Sequence, residues 1–317
     1  MKKNDPSLIR SLAVTGGQIA KANGIDIWYE TFGNKKDPAM LLIMGGVSQG
    51  ILWPKEFCEC LAKHHFYVIR YDHRDSGHSS YFDFQEHPYT FLDMSQDALE
   101  LLNYLQIEKA HLFGYSMGGP IAELIAVHFP ARVYSLTLMA TSSDFRPYIL
   151  AYDGLPPEQG SSILSSPKVA YLDLLKHYKM SNSVTEEEKL ERKLTFWRLF
   201  NGSKVPFEEE RYREIYREYI QRDYTSTNAM NHLLAIKRSE KLIRNAPSLV
   251  KTPTLIFHGS EDPVLPPDHG DALAKIISGS TYCFVPKMGH ILNCQFYDML
   301  IATILEHTQN TSENSGS

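Results

Sequence analysis

Cysteine, clustered positive charge and long apolar runs are all scarce in this 317-residue chain. There are four cysteines, Cys58, Cys60, Cys283 and Cys294. None has the spacing of a zinc site or a Cys-x-x-Cys pair, so they read as reduced thiols and neither a metal centre nor a disulfide framework is expected. A cytoplasmic setting follows as an expectation. No basic tract stands out and the formal net charge is -5, which sets nucleic acid aside as a partner. No apolar run approaches the ~18 residues of a membrane span. The start, Met1-Lys2-Lys3-Asn4-Asp5-Pro6, is basic, but the apolar stretch of a secretory signal does not follow it. No cofactor is expected, and the sequence does not specify an oligomeric state.

What is present is an alternation. Residues 1–15 read as a loosely held arm. Gln18 to Ala22 and Ile25 to Phe32 read as strands joined by a turn at Asn23-Gly24. Ala39 to Met44 is continuously apolar, as suits a strand buried on both faces, and ends in Gly45-Gly46. A helix is predicted after Pro54, a strand over Phe66 to Tyr71, and a helix capped by Thr90. Ala110 to Phe113 and Leu136 to Ala140 add two more strands. Strand and helix in turn predict an α/β fold, a mostly parallel sheet flanked by helices. The alternation stops near residue 143. Over 143–247 only helical patterns appear, among them the capping box Thr185-Glu186-Glu187-Glu188 ahead of Leu190, Leu194 and Trp197. Tyr212, Ile215, Tyr216 and Tyr219 form another stripe, with the charges from Arg211 to Glu218 read as a solvated face. Strands resume at Pro253 to Gly259 and at Thr281 to Val285. A closing helix is predicted over Ile291 to His307, then a disordered tail over 308–317. The core is therefore 1–142 with 248–317, and 143–247 is an insertion.

The chemistry centres on Gly114-Tyr115-Ser116-Met117-Gly118, a G-x-S-x-G run between a strand and a helix. Such a turn is too tight for side chains on either flank and holds the serine on a strained backbone. A serine hydroxyl needs a base within hydrogen-bond reach and a third group to orient that base. His290 follows the last strand and is the base candidate. Of the 13 histidines, His64, His65, His87, His177 and His232 are read as surface residues. Asp262 follows the resumed strand and is the acid candidate, with Glu261 adjacent to it. An oxyanion would be met by the backbone N–H of Met117 and by a second from Gly45-Gly46-Val47, with Gly46 first and Val47 the alternative.

These motifs resemble the α/β-hydrolase family over nearly the whole chain. The resemblance selects Asp262 over Glu261. It also covers the stretch from Tyr71 to Ser79, similar to the family's D-x-R-x-x-G-x-S run, whose role there is structural. Met44-Gly45-Gly46, Arg70 to Asp75, His87-Pro88-Tyr89, Trp197-Arg198 and Val205-Pro206-Phe207 are similar to aclacinomycin methylesterase-like hydrolases. That implies a serine carboxylesterase for a small-molecule ester, with a methyl ester among the candidates. The insertion becomes a lid, and its Phe145, Tyr148, Tyr152, Tyr171, Trp197 and Phe200 either line an apolar pocket or pack the lid onto the core. One departure is Met44, where many members carry histidine. Two alternatives remain: a cofactor-free haloperoxidase, perhydrolase or lactonase using the same three residues, and a non-catalytic ligand-binding protein on the same fold.

Overall fold

The computed structural model describes residues 16–156, 164–179, 185–222 and 230–313. The predicted arm over 1–15 lies outside them. β1 (Gln18–Ala22) and β2 (Ile25–Phe32) form an antiparallel hairpin. Its turn residues Asn23 and Gly24 both have positive φ, the conformation that a two-residue hairpin turn requires. β3 (Ala39–Ile43), β4 (Tyr67–Tyr71), β5 (Ala110–Tyr115), β6 (Val133–Met139), β7 (Thr254–Gly259) and β8 (Thr281–Val285) run parallel. The eight strands lie in the order β1-β2-β4-β3-β5-β6-β7-β8.

Every residue of β3, β5 and β7 is buried, because helices cover both faces. Side chains alternate across the sheet. Leu41 and Ile43 point into one layer with Ile121 and Leu101. Met40, Leu42 and Met44 point into the other with Phe57, Trp53 and Leu300. The first layer holds α2 (Phe91–Tyr104), α3 (Gly118–His128) and α10 (Asp268–Ile276); the second holds α1 (Lys55–Lys63) and α11 (Tyr297–Glu313). Thr90 is the N-cap of α2, as predicted, and its N–H donates to the Asp93 carboxylate at 2.7 Å, the return half of a capping box.

Between β6 and β7 the chain leaves the sheet and, among the described residues, builds six α-helices. They are α4 (Arg146–Asp153), α5 (Val169–Lys179), α6 (Glu186–Phe200), α7 (Glu209–Gln221), α8 (Asn231–Arg238) and α9 (Glu240–Asn245). No strand occurs there among the described residues. The two predicted stripes meet face to face, with Trp197 edge-on to Tyr216 at 5.3 Å. The face of α7 is less solvated than expected. Arg211 is half-buried and donates to Tyr297 Oη at 2.6 Å and to Glu56 at 2.9 Å, tying the insertion to α1 and α11.

Two expectations at the C-terminus need correction. The closing helix begins at Tyr297, not Ile291, because Ile291, Leu292 and Asn293 are a buried loop whose polar groups bond the insertion. It also continues through Glu313, into the stretch expected to be a disordered tail. Thr308 is buried and its hydroxyl donates to the Ile304 carbonyl at 2.9 Å. Residues 314–317 lie outside the described set.

Candidate active site

Parallel strands deliver their C-terminal ends to one edge, and the loops after β3, β5, β7 and β8 gather there. Ser116 follows β5 directly with φ of 51°, a left-handed conformation that costs a non-glycine residue on the order of 1–3 kcal/mol. Three hydrogen bonds hold it. The Ser116 N–H donates to Met139 O at 2.9 Å, and Ser116 O accepts from the Gly119 N–H at 2.9 Å and the Thr141 hydroxyl at 2.7 Å. The flanking glycines are required by space: a Cβ at Gly118 would collide with the Ile43 carbonyl, and one at Gly114 with Gly118 O.

The structure brings the three predicted side chains together. His290 Nε2 lies 3.2 Å from Ser116 Oγ, and His290 Nδ1 lies 2.7 Å from Asp262 Oδ2. Asp262 is fully buried, and its Oδ1 accepts the amides of Val264 (2.8 Å) and Leu265 (2.9 Å). Burial alone would raise its pKa; the His290 charge and hydrogen bond, with the amide donors, win and hold the carboxyl below its ordinary value. Glu261 turns away, accepting from the Ser203 N–H at 2.5 Å and its hydroxyl at 2.8 Å.

The oxyanion candidates separate. Val47 is corrected: its N–H already donates to His232 Nδ1 at 3.0 Å, so it is not offered to a ligand. Gly46 stands against Met117, its Cβ position 3.2 Å from Met117 Sδ. Among the described residues neither the Gly46 nor the Met117 amide has a protein acceptor.

A cavity of about 220 Å³ opens over Ser116, His290, Gly46 and Met117. All six aromatics singled out in the insertion line it. The hydroxyls of Tyr148 and Tyr171 are 3.1 Å apart and share one hydrogen bond, and the wall around them is largely apolar. Lys193 also lines it. Among the described residues, no group of three or more His, Cys, Asp or Glu side chains is arranged for a metal ion, and no helix is long and apolar enough to cross a membrane.

Sequence reasoning missed the parts of the insertion that touch this machinery. The His290 N–H donates to Phe200 O at 2.7 Å, at the end of α6. Gly289 must be glycine because a Cβ would strike that same carbonyl. Asn293 donates to Asn201 Oδ1 at 2.9 Å and to Pro206 O at 2.8 Å. His232, expected on the surface, is fully buried. The run from Tyr71 to Ser79 is a structural hub, as its resemblance implied: Asp72 accepts from the Gly50 N–H (2.7 Å), the His78 N–H (2.9 Å) and Arg222 (2.6 Å).

A family model described as the alpha/beta hydrolase fold matches residues 38–296. Over 294 residues the chain is 36% identical to rhodomycin D methylesterase DauP of Streptomyces sp. (strain C5), covering 90% of this chain and 95% of that one. The figures are the same for rhodomycin D methylesterase DnrP of Streptomyces peucetius. Among solved structures, the esterase EaEST from Exiguobacterium antarcticum superposes with a TM-score of 0.71 at 20% identity, covering 92% of this chain and 99% of that one. At that identity the likeness speaks for the fold alone.

Proposed function

Because this chain belongs to the α/β-hydrolase family, we propose that it is a serine esterase that cleaves the carboxylic ester of a small molecule, a methyl ester first among them, through an acyl-enzyme on Ser116. The observation that carries the proposal is the unbroken line from Ser116 Oγ through His290 to the buried Asp262 carboxylate at the floor of an apolar cavity. The relatives named as methylesterases support the reaction class.

His290 Nε2 accepts the Ser116 proton as Oγ attacks the ester carbonyl. Asp262 accepts the His290 Nδ1–H, which fixes the tautomer and stabilises the imidazolium. The Gly46 and Met117 amides receive the developing oxyanion, each typically worth roughly 2.7–4 kcal/mol in the transition state. The tetrahedral intermediate collapses, His290 protonates the departing alcohol, and the acyl group stays on Ser116. Water deprotonated by His290 then releases the acid and restores the enzyme. The insertion over 143–247 acts as the lid that supplies the apolar wall. The four free cysteines support a reducing, cytoplasmic setting.

Ser116→Ala tests the reading. The variant should fold as wild type and lose p-nitrophenyl and methyl ester turnover by on the order of 10⁶-fold. Wild-type turnover in that variant would overturn the proposal. A lactone and a peroxide-dependent halogenation assay belong in the same panel, since the same three residues serve those reactions.

A further inference from the structure

The loop after β3 carries the Gly46 amide, yet the sheet does little to hold it. Val47 is β-branched and sits at φ of 55°, a conformation that such a residue adopts only when its surroundings impose it. Side chains impose it here. His73 Nε2 lies 2.9 Å from Met44 O, at the loop's first residue. At Val47, the N–H donates to His232 Nδ1 at 3.0 Å, and the carbonyl accepts from Tyr219 Oη at 3.1 Å. Both His232 and Tyr219 come from the insertion.

The partners settle the tautomer of His232. The Val47 N–H can only donate, so Nδ1 carries a lone pair. The Arg74 carbonyl, 2.7 Å from Nε2, can only accept, so Nε2 carries the hydrogen. The ring is therefore neutral, with each nitrogen doing one job. Burial pushes its pKa down, as does the Arg74 charge; the hydrogen bond to the Arg74 carbonyl and the Asp75 carboxylate oppose them and lose. The neighbouring His73 ring, edge-on at 5.8 Å, is itself pushed down to about 3, so it adds no charge near neutrality.

We propose that His232 is a positioning residue for the oxyanion site: its Nδ1 captures the Val47 amide, pins the loop in its strained conformation, and leaves the Gly46 amide as the donor that meets the substrate oxygen. This rests on the esterase reading above. His232 touches neither substrate nor Ser116; it acts through the loop.

Two substitutions separate the ring nitrogens. His232→Asn places an amide oxygen where Nδ1 stood and keeps the acceptor for Val47. His232→Gln places its amide group near Nε2 and abandons Val47. On a p-nitrophenyl ester turned over by wild type, His232→Asn should keep kcat within about 3-fold, while His232→Gln loses roughly 10–100-fold in kcat with KM little changed. Thermal melting should show both variants folded and similarly stable, so a merely structural role would move them together. Equal kcat for the two variants, or a loss confined to His232→Asn, would overturn the assignment. Wild-type turnover that survives Ser116→Ala would instead overturn the esterase reading on which it stands.

Discussion

The sheet and the helices inserted into it contribute to the same site by different means. The sheet supplies the groups proposed to react: Ser116 after β5, Asp262 after β7 and His290 after β8. The insertion supplies no member of that line. It holds the loops that carry them, through Phe200 O on the His290 N–H and His232 on Val47. Topology positions the first set, because parallel neighbours end at one edge. Packing positions the second, because a helix end or face reaches the site only if the whole insertion docks correctly. Damage to the first set should stop the chemistry in a folded protein. Damage to the second should lower kcat by loosening the loops that carry the reacting groups.

After removal of the Ser116 hydroxyl itself, the largest expected effect on that contrast is at Asp262. Asp262→Asn keeps the size of the side chain but turns an obligatory acceptor into a group that can present N–H to His290 Nδ1. The wrong tautomer then faces Ser116. We expect kcat to fall by about 10⁴-fold with KM little changed. A loss below about 10-fold would mean that Asp262 does not orient His290, and the division between sheet and insertion would lose its first half.

A second buried carboxylate in the sheet half gives the next effect. Glu123 on α3 is fully buried, and neither of its oxygens finds a hydrogen-bond partner among the described residues. Desolvation pushes its pKa up to about 8 from the ordinary 4.5. Asp262, equally buried, moves the other way because it has partners. Below pH 4.5 Glu123 is protonated folded or unfolded, so it imposes no pH dependence. As pH rises toward 8 the unfolded chain ionises while the folded one holds its proton. At ~1.36 kcal/mol per pH unit, that costs the fold about 4–5 kcal/mol by pH 8. Glu123→Met should remove this slope and be the more stable protein at pH 8. Urea midpoints at pH 5, 6.5 and 8 measure it; parallel slopes for the two proteins would refute the account.

The same contrast explains what could be read in advance. Ser116, Asp262 and His290 were legible because each sits at a fixed offset from a strand or within a tight glycine motif, and such offsets are local. The Asp262 and Glu261 choice needed the family resemblance, because adjacent carboxylates on one turn differ only in direction. His232 was not legible. It lies on a short helix among polar and apolar residues, and only the long-range contacts to Val47 and Arg74 give it a task. Val47 stayed open beside Gly46 for the same reason. The start of α11 was misplaced because Ile291 and Leu292 look like a helical face, while their burial belongs to the loop that carries His290.

The clasp between Asn201 and Asn293 tests the insertion half. Both side chains are buried, and Asn293 donates to Asn201 Oδ1 and to Pro206 O. Asn293→Ala strands those acceptors and should cost about 2–3 kcal/mol of unfolding free energy. Asn201→Ala also strands the Val205 carbonyl, which Asn201 Nδ2 meets at 2.9 Å, so the double variant should cost less than the sum of the two single ones, by a coupling of about 1 kcal/mol. Because the His290 and Ile291 amides share Phe200 O beside the clasp, kcat should fall in the same variants. Full kcat in a destabilised Asn293→Ala would show that the clasp holds the fold but not His290.

The smallest effect sharpens the comparison within one helix. α8 carries His232 on its buried face and Lys237 on its exposed one. Five residues at 100° each place them about 140° apart. Lys237 Nζ pairs with Asp153 at 2.8 Å, with both side chains about a third exposed. Water already solvates such a pair and salt screens it, so Lys237→Met should change stability by under about 0.5 kcal/mol. Neither Lys237 nor Asp153 lines the cavity, and kcat should be unchanged. If the insertion acts only through its inward contacts, the outer face of α8 is dispensable while position 232 is not. A drop of more than about 3-fold in kcat for Lys237→Met would show that α8 transmits strain along its whole body, and positioning would then belong to the helix and not to one imidazole nitrogen.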